Sequence, residues 1–211
     1  TGGAFTDFRE NYHNNMAVRT RVGIVLIDCG GTAVQSLKEI GVHPSEVSGV
    51  VITHMHGDHV GGLEQLIWER HYTGPGGGPP QYLRTRIICP LVLRSEIEKF
   101  LEPCIREYTR SDGTLQLDGL DKLLEWVDLD PCETYESGEA NFTFFEVPHC
   151  GPKDTFGVRI GGGNSHIIYT SDTTYREEEV SRWVSEGAEA VFHDCTFSPL
   201  YKGTVHTHFE Q

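Results

Sequence analysis

The chain has 211 residues, 17 of them basic and 31 acidic, for a net charge of −14 with histidine neutral. That length suits one large domain with a substantial core, and the acidity weighs against polyphosphate partners, since the longest basic grouping, "LRTRI" around Arg84 and Arg86, is small. No run reaches the length of a membrane span. The six cysteines (Cys29, Cys89, Cys104, Cys132, Cys150, Cys195) form no C-x-x-C pair, which points to reduced thiols of a cytosolic protein rather than a disulfide framework or zinc ribbon.

Both ends read as cropped: "TGGAF" resembles a glycine turn after a missing strand, and "HTHFEQ" opens what reads as a helix. A leader before Thr1 therefore stays open. Residues 22–28, "VGIVLID", read as a buried strand. "TAVQSLKEIG" reads as a short helix with Thr32 at its N-cap and Gly41 at its C-terminal end. A second strand is expected over Val50–Thr53, followed by an amphipathic helix, "VGGLEQLIWER", with Val60, Leu63, Leu66 and Ile67 on one face. Residues 71–82, "HYTGPGGGPPQY", are too rich in glycine and proline for regular structure. A strand over 84–89, a helix over 92–107 interrupted at Pro103, and a charged helix near 118–126 come next. The last third is β-rich at 140–147, 155–160 and 165–170. It then carries a helix, "REEEVSRWVSEG", and a final strand with a polar exit, "AEAVFHDCTF". Strand-rich halves separated by helices suggest a layered α/β sandwich.

Chemistry concentrates in "VVITHMHGDHVGGLEQL", where His54, His56, Asp58 and His59 fall at a strand-to-helix corner. Along an extended chain alternate residues point the same way, so His54 and His56 can share one metal. Asp58 and His59, beyond the turn at Gly57, point toward a second. Imidazole and carboxylate ligands suit zinc first, then manganese or iron. Two metals need further ligands, and later strand ends offer His149 in "FEVPHCG", Asp172 in "IIYTSDT" and His206 in "GTVHTH". His13, His43, His71 and His166 read as surface or satisfied core residues.

These motifs, with "TGGAF", "VLIDCGG" and "VFHDCTF", resemble the metallo-β-lactamase superfamily, and within it the phosphodiesterase branch that includes tRNA 3′-processing endonucleases. The resemblance implies an α/β fold, the metallo-β-lactamase αββα sandwich, as one domain over 1–211 with an insert at about 71–139. It implies that His54, His56 and His149 hold one metal, that Asp58, His59 and His206 hold the other, and that Asp172 bridges. Asp58 and His193 are the residues it places in the chemistry. "VFHDCTF" is similar to the branch's H-E-A-T motif, whose histidine, here His193, protonates the leaving oxygen. Two departures matter: the motif's Glu is Asp194, and the acidic partner three residues before the bridging Asp is Tyr169. His193 must then be oriented by another group, and His208 is the runner-up proton donor.

The substrate side points away from tRNA. Only 23 residues separate His149 from Asp172, too few for a tRNA-gripping arm, and the extra length lies in the 90 residues between His59 and His149. The layout is most similar to the anti-Pycsar cyclic-nucleotide phosphodiesterases of phages and bacteria. That resemblance implies cyclic pyrimidine mononucleotides as substrates, two divalent metals, a homodimer with a loop bordering the partner's pocket, and a cytoplasmic setting. Tyr72 or Tyr82 is then expected to stack on the base. The alternatives are a tRNA 3′-endonuclease, a cyclic ribose phosphate phosphodiesterase and, from another class, a metal-stabilised module that binds a nucleotide without cutting it. A lactamase or thioesterase fits "HDCTF" and "HTH" less well.

Overall fold

The structure is a computed structural model that describes residues 11–75, 78–79, 81–110, 112–130, 132–162, 165–197 and 205–210. "TGGAF" and Gly76, Gly77 and Pro80 of the glycine-rich loop lie outside the described residues. The chain forms two compact units, Thr1–Asp128 and Leu129–Gln211. No helix among the described residues is long and apolar enough to cross a membrane.

In the first unit a hairpin of β1 (Met16–Thr20) and β2 (Gly23–Ile27) opens the sheet. β3 (Val47–Val51) and β4 (Thr85–Pro90) then add in parallel, and β7 (Leu124–Leu129) closes it in the order β1-β2-β3-β4-β7. Parallel strands are covered on both faces, which is why Val25, Ile27, Val50, Val51, Ile87 and Ile88 are fully buried. The register Ile27↔Val51 has a functional consequence. Because β2 and β3 run the same way, Asp28 and the 52–56 segment leave the sheet on one edge.

α1 (Ala33–Glu39) buries Ala33, Val34 and Leu37 and exits through Gly41 at φ +77, as the sequence predicts. Thr32 holds the N-cap position, but its hydroxyl accepts from the His13 N–H at 2.8 Å instead of capping. The single helix expected after the histidine cluster is two: a one-turn α2 (Gly57–Val60) and α3 (Leu63–Tyr72). The break at Gly61-Gly62 is a packing requirement. The Gly62 N–H donates to the Cys29 carbonyl at 2.8 Å, and a Cβ there would meet the Gly30 oxygen at 2.3 Å. α3 also runs through His71 and Tyr72, which the composition had placed in the loop.

Pro103 lies inside α4 (Arg94–Ile105) without interrupting it. It falls in the last turn, where only one helical hydrogen bond is lost and the Arg106 N–H still reaches the Glu102 carbonyl. A two-stranded ribbon of β5 (Tyr108–Thr109) and β6 (Leu115–Gln116) follows. The helix expected over 118–126 shrinks to α5 (Gly119–Leu123), because Leu123 and Leu124 are drawn into the core and the chain continues as edge strand β7. Arg70 holds this unit together from inside. Its guanidinium donates to the Pro44 and Val47 carbonyls, to the Arg84 carbonyl at 2.9 Å and to the Thr85 hydroxyl at 3.2 Å. Burial pushes it down to about 10, with Arg86 adding to the effect, so it stays charged at neutral pH.

The second unit is a sheet in the order β12-β11-β10-β9-β8. Its strands are β8 (Thr134–Ser137), which the sequence did not announce, β9 (Ala140–Glu146), β10 (Phe156–Gly162), β11 (Ser165–Tyr169) and β12 (Ala188–Phe192). α6 (Glu177–Ser185) is the crossover between parallel β11 and β12, and it buries Trp183 against Phe145, ring centroids 5.4 Å apart. The register Tyr169↔Phe192 makes Thr170–Asp172 and His193–Asp194 leave the sheet together. The segment 206–210 is turn and bridge structure, paired at Thr196↔His208, where a helix start was expected.

Candidate metal centre

In the first unit the donors converge on one buried carboxylate. Asp28 sits at φ +64, a left-handed conformation that aspartate tolerates better than most residues. It is fully buried, with one oxygen accepting from the Thr53 N–H at 2.9 Å and the other from the Thr53 hydroxyl at 2.8 Å and from His59 Nδ1 at 2.7 Å. A carboxylate only accepts, so the Thr53 hydrogen is committed to it. The Thr53 oxygen is then left to accept from His54 Nδ1 at 3.1 Å. Asp28 therefore fixes the Nδ1–H tautomer of both His54 and His59 and makes Nε2 the unprotonated nitrogen of each ring. Those lone pairs face other donors: His54 Nε2 lies 3.0 Å from His56 Nδ1, and His59 Nε2 lies 3.4 Å from Asp58. Nitrogens and oxygens this close without a proton between every pair are what a divalent cation draws together.

The second unit repeats the device. His149 Nδ1 donates to the Val205 carbonyl at 2.8 Å, and its Nε2 lies 3.6 Å from Asp172. His206 Nδ1 donates to Asp194 at 2.7 Å and lies 4.0 Å from Asp172. Ligand atoms of Asp172, Asp194 and His206 all fall within 4.8 Å of one another. Asp194, which stands where the related motif has Glu, also accepts from the Thr173 N–H at 3.1 Å, so it orients His206 and closes the loop after Asp172.

His193 finds its partners among hydroxyls. Nδ1 lies 3.0 Å from the Thr170 oxygen and Nε2 lies 3.5 Å from the Thr207 oxygen. Both hydroxyl hydrogens are spent on carbonyls, Thr170 on Ser171 at 3.0 Å and Thr207 on Thr173 at 3.1 Å. Both oxygens thus present lone pairs to the ring, an environment that accepts two N–H groups and so suits the protonated imidazole. Burial pushes the other way, holding His193 below the usual histidine range, against Asp194 and Glu179, which pull it up. Tyr169, where an acid was missing, is a buried strand residue, and Thr170 beside it supplies the orienting contact.

The remaining expected residues are placed less suggestively. The Tyr72 hydroxyl donates to the Thr109 carbonyl at 3.0 Å and its ring stacks on Trp68. Tyr82, at φ +54, is about half exposed, with its ring near His71. His208 is buried, its Nδ1 accepting from the Glu210 N–H at 3.3 Å, a structural setting for the runner-up proton donor. Asp28 is the residue that sequence reasoning passed over. The signal was its position, a lone acid closing the apolar run "VGIVLID".

A family profile described as "Anti-Pycsar protein Apyc1" matches residues 1–211. The Apyc1 protein of Paenibacillus sp. (strain J14) is 31% identical, with all of this chain and 79% of that protein aligned. The chain belongs to the anti-Pycsar Apyc1 family. Among solved structures, the metallo-β-lactamase fold protein YhfI from Bacillus subtilis aligns with a TM-score of 0.71 at 19% identity, over 98% of this chain and 74% of that one. Human tRNase Z, short form, aligns with a TM-score of 0.64 at 16% identity, over 95% and 82%. The fold of this Apyc1-family chain is therefore the α/β metallo-β-lactamase αββα sandwich.

The tautomer control in the first unit gives a direct expectation. Asp28→Ala releases both His54 and His59, and metal affinity should fall roughly 10–100-fold, as for other groups that orient ligand histidines. Competition with a chromophoric chelator measures it. An unchanged affinity would mean that Asp28 serves folding alone.

Proposed function

We propose that this Apyc1-family chain is a dinuclear-metal phosphodiesterase that opens small cyclic nucleoside monophosphates to the linear nucleotide. Cyclic pyrimidine forms such as cCMP and cUMP are favoured, and the activity counters nucleotide-based antiphage signalling. In this proposal residues 1–211 act as one metallo-β-lactamase-like domain. His54, His56 and His149 hold one metal, Asp58, His59 and His206 the other, and Asp172 bridges. The observation that carries it is the repeated tautomer control: His54, His59, His149 and His206 each hand Nδ1–H to an oxygen, so in this proposal each ligates through Nε2. Four histidines with one tautomer suit zinc first and manganese next.

When bound, two divalent cations supply Lewis acidity and a nucleophile near neutral pH. Asp58 and Asp172 balance the charge of the cations and set where the phosphate rests. His193, held by Thr170, keeps a proton at Nε2 for the departing alkoxide. A cyclic mononucleotide carries one phosphate, so it needs no basic face, in keeping with a net charge of −14. Tyr82 is the better placed of the two tyrosines to stack on a base, being half exposed where Tyr72 is hydrogen-bonded and stacked within its own unit. The protein works as a homodimer in this proposal, with a loop of one subunit bordering the other's pocket.

The test is a substrate panel of cyclic mononucleotides, cyclic dinucleotides and precursor tRNA with the metal-loaded protein. Linear pyrimidine mononucleotide should accumulate first. Efficient tRNA processing at physiological salt with every cyclic mononucleotide untouched would refute the proposal in favour of an endonuclease. Tight nucleotide binding with no product from any substrate would favour the non-catalytic module.

A further inference from the structure

One face of the second sheet carries a cleft of about 390 Å³ away from the metal-ligand motifs of that unit. Two neighbouring cross-strand rows build it. Thr134, Thr143 and Arg159 pair across β8, β9 and β10, and Asn141, Gly161 and His166 pair across β9, β10 and β11. Alternation along each strand puts these six on the same face. Gly161 has no side chain, so the floor between Arg159 and His166 stays open. Ser165 and Gly162 complete the lining.

The chemistry of this lining is unusual for so acidic a chain: it includes a guanidinium, an amide, hydroxyls and an imidazole, and no carboxylate. Glu136 continues the second row on β8, pairing with Asn141, but lies outside the lining. His166 supplies an independent sign. It is only 6% exposed, and its Nδ1 faces Arg159 Nη2 at 3.3 Å. A guanidinium only donates, so Nδ1 is the acceptor and Nε2 carries the proton. That Nε2 has no hydrogen-bond partner among the described residues. Buried polar groups are nearly always paired, and each exception calls for an explanation.

We infer that this cleft is a second ligand site, separate from the metal centre, which takes the phosphate group of a small anion. The fork of Arg159 matches phosphate oxygens, and the Thr134, Thr143 and Ser165 hydroxyls and the Asn141 amide offer further donors from neighbouring strands. The cleft is larger than a bare phosphate, so a mononucleotide fits its dimensions as well as inorganic phosphate does. The inference does not depend on the substrate proposed above.

Equilibrium dialysis with labelled inorganic phosphate and with 5′-CMP tests it, using the metal-loaded protein and its Asp172→Ala variant, in which the metal centre is disabled. One saturable equivalent should remain in Asp172→Ala. Adding Arg159→Gln should weaken it roughly tenfold or more, the loss of a charge-assisted hydrogen bond. Adding Asn141→Asp, which places a carboxylate in the cleft, should abolish it. Both residues are exposed, and circular dichroism checks that each variant is folded. Equal affinity for the two probes identifies a bare oxyanion site, and tighter 5′-CMP identifies a nucleotide site. No saturable binding at millimolar concentration in Asp172→Ala, or binding indifferent to both cleft substitutions, would overturn the inference.

Discussion

Asp172→Ala is expected to abolish hydrolysis and to cut bound metal well below the roughly two ions per chain of a two-metal centre. The reason lies in its neighbours. One carboxylate oxygen of Asp172 lies 3.6 Å from His149 Nε2 and 4.0 Å from the His206 ring at Nδ1, the nitrogen that Asp194 holds. In the proposed assignment those histidines belong to different metals, so a single side chain sets the separation of the pair. In that assignment its removal would take away the negative charge the two cations share, and metal content should fall. Elemental analysis of the purified variant measures the content. Full metal together with wild-type turnover would sink the bridging assignment.

Replacing His193 with alanine should leave both metals bound and lower turnover on a cyclic nucleotide by about 10²–10⁴-fold, the usual worth of a positioned general acid. The expectation rests on geometry. Thr170 and Thr207 have spent their hydrogens elsewhere and offer the imidazole two acceptors, which steadies the protonated ring. A ribose alkoxide leaves poorly without a proton, whereas p-nitrophenolate leaves without one. The loss should therefore shrink on p-nitrophenyl phosphodiesters. Equal losses on both substrates would make His193 a structural residue or a phosphate ligand. Because Thr170 contacts the ring where an acid is missing, Thr170→Val should reproduce part of the loss on a cyclic nucleotide.

The two departures from the related motif now have physical meanings. Tyr169 in place of an acid removes a carboxylate partner from His193, and a neutral hydroxyl one residue later takes over. A hydroxyl holds the ring without the charge that would tie down its proton. Asp194 in place of Glu has a shorter reach, and it spends that reach on His206 and the Thr173 N–H. It is thereby hydrogen-bonded to His206 and the loop after Asp172, and acts on its neighbour His193 through its charge.

Much of this protein was determined by local pattern. His54, His56, Asp58 and His59 announce themselves because four metal-binding side chains around one glycine turn have no packing explanation. The β-rich last third, the crossover helix with Trp183 and the left-handed exit at Gly41 follow from periodicity and from glycine's freedom at positive φ. What local pattern misjudged were elements whose fate depends on distant neighbours. Leu124–Leu129 became an edge strand because β4 offered it a partner, and the Gly61-Gly62 break exists because the Gly30 carbonyl leaves no room for a side chain. The orienting groups were equally hidden. Asp28 is 25 residues from Thr53 and 31 from His59, and Val205 is 56 from His149. Only the parallel registers Ile27↔Val51 and Tyr169↔Phe192 bring strand ends to a common edge. The sequence by itself determined which atoms can bind metal. The tertiary structure decided which nitrogen of His54, His59, His149 and His206 carries the proton, because a tautomer is set by the oxygen at its other end.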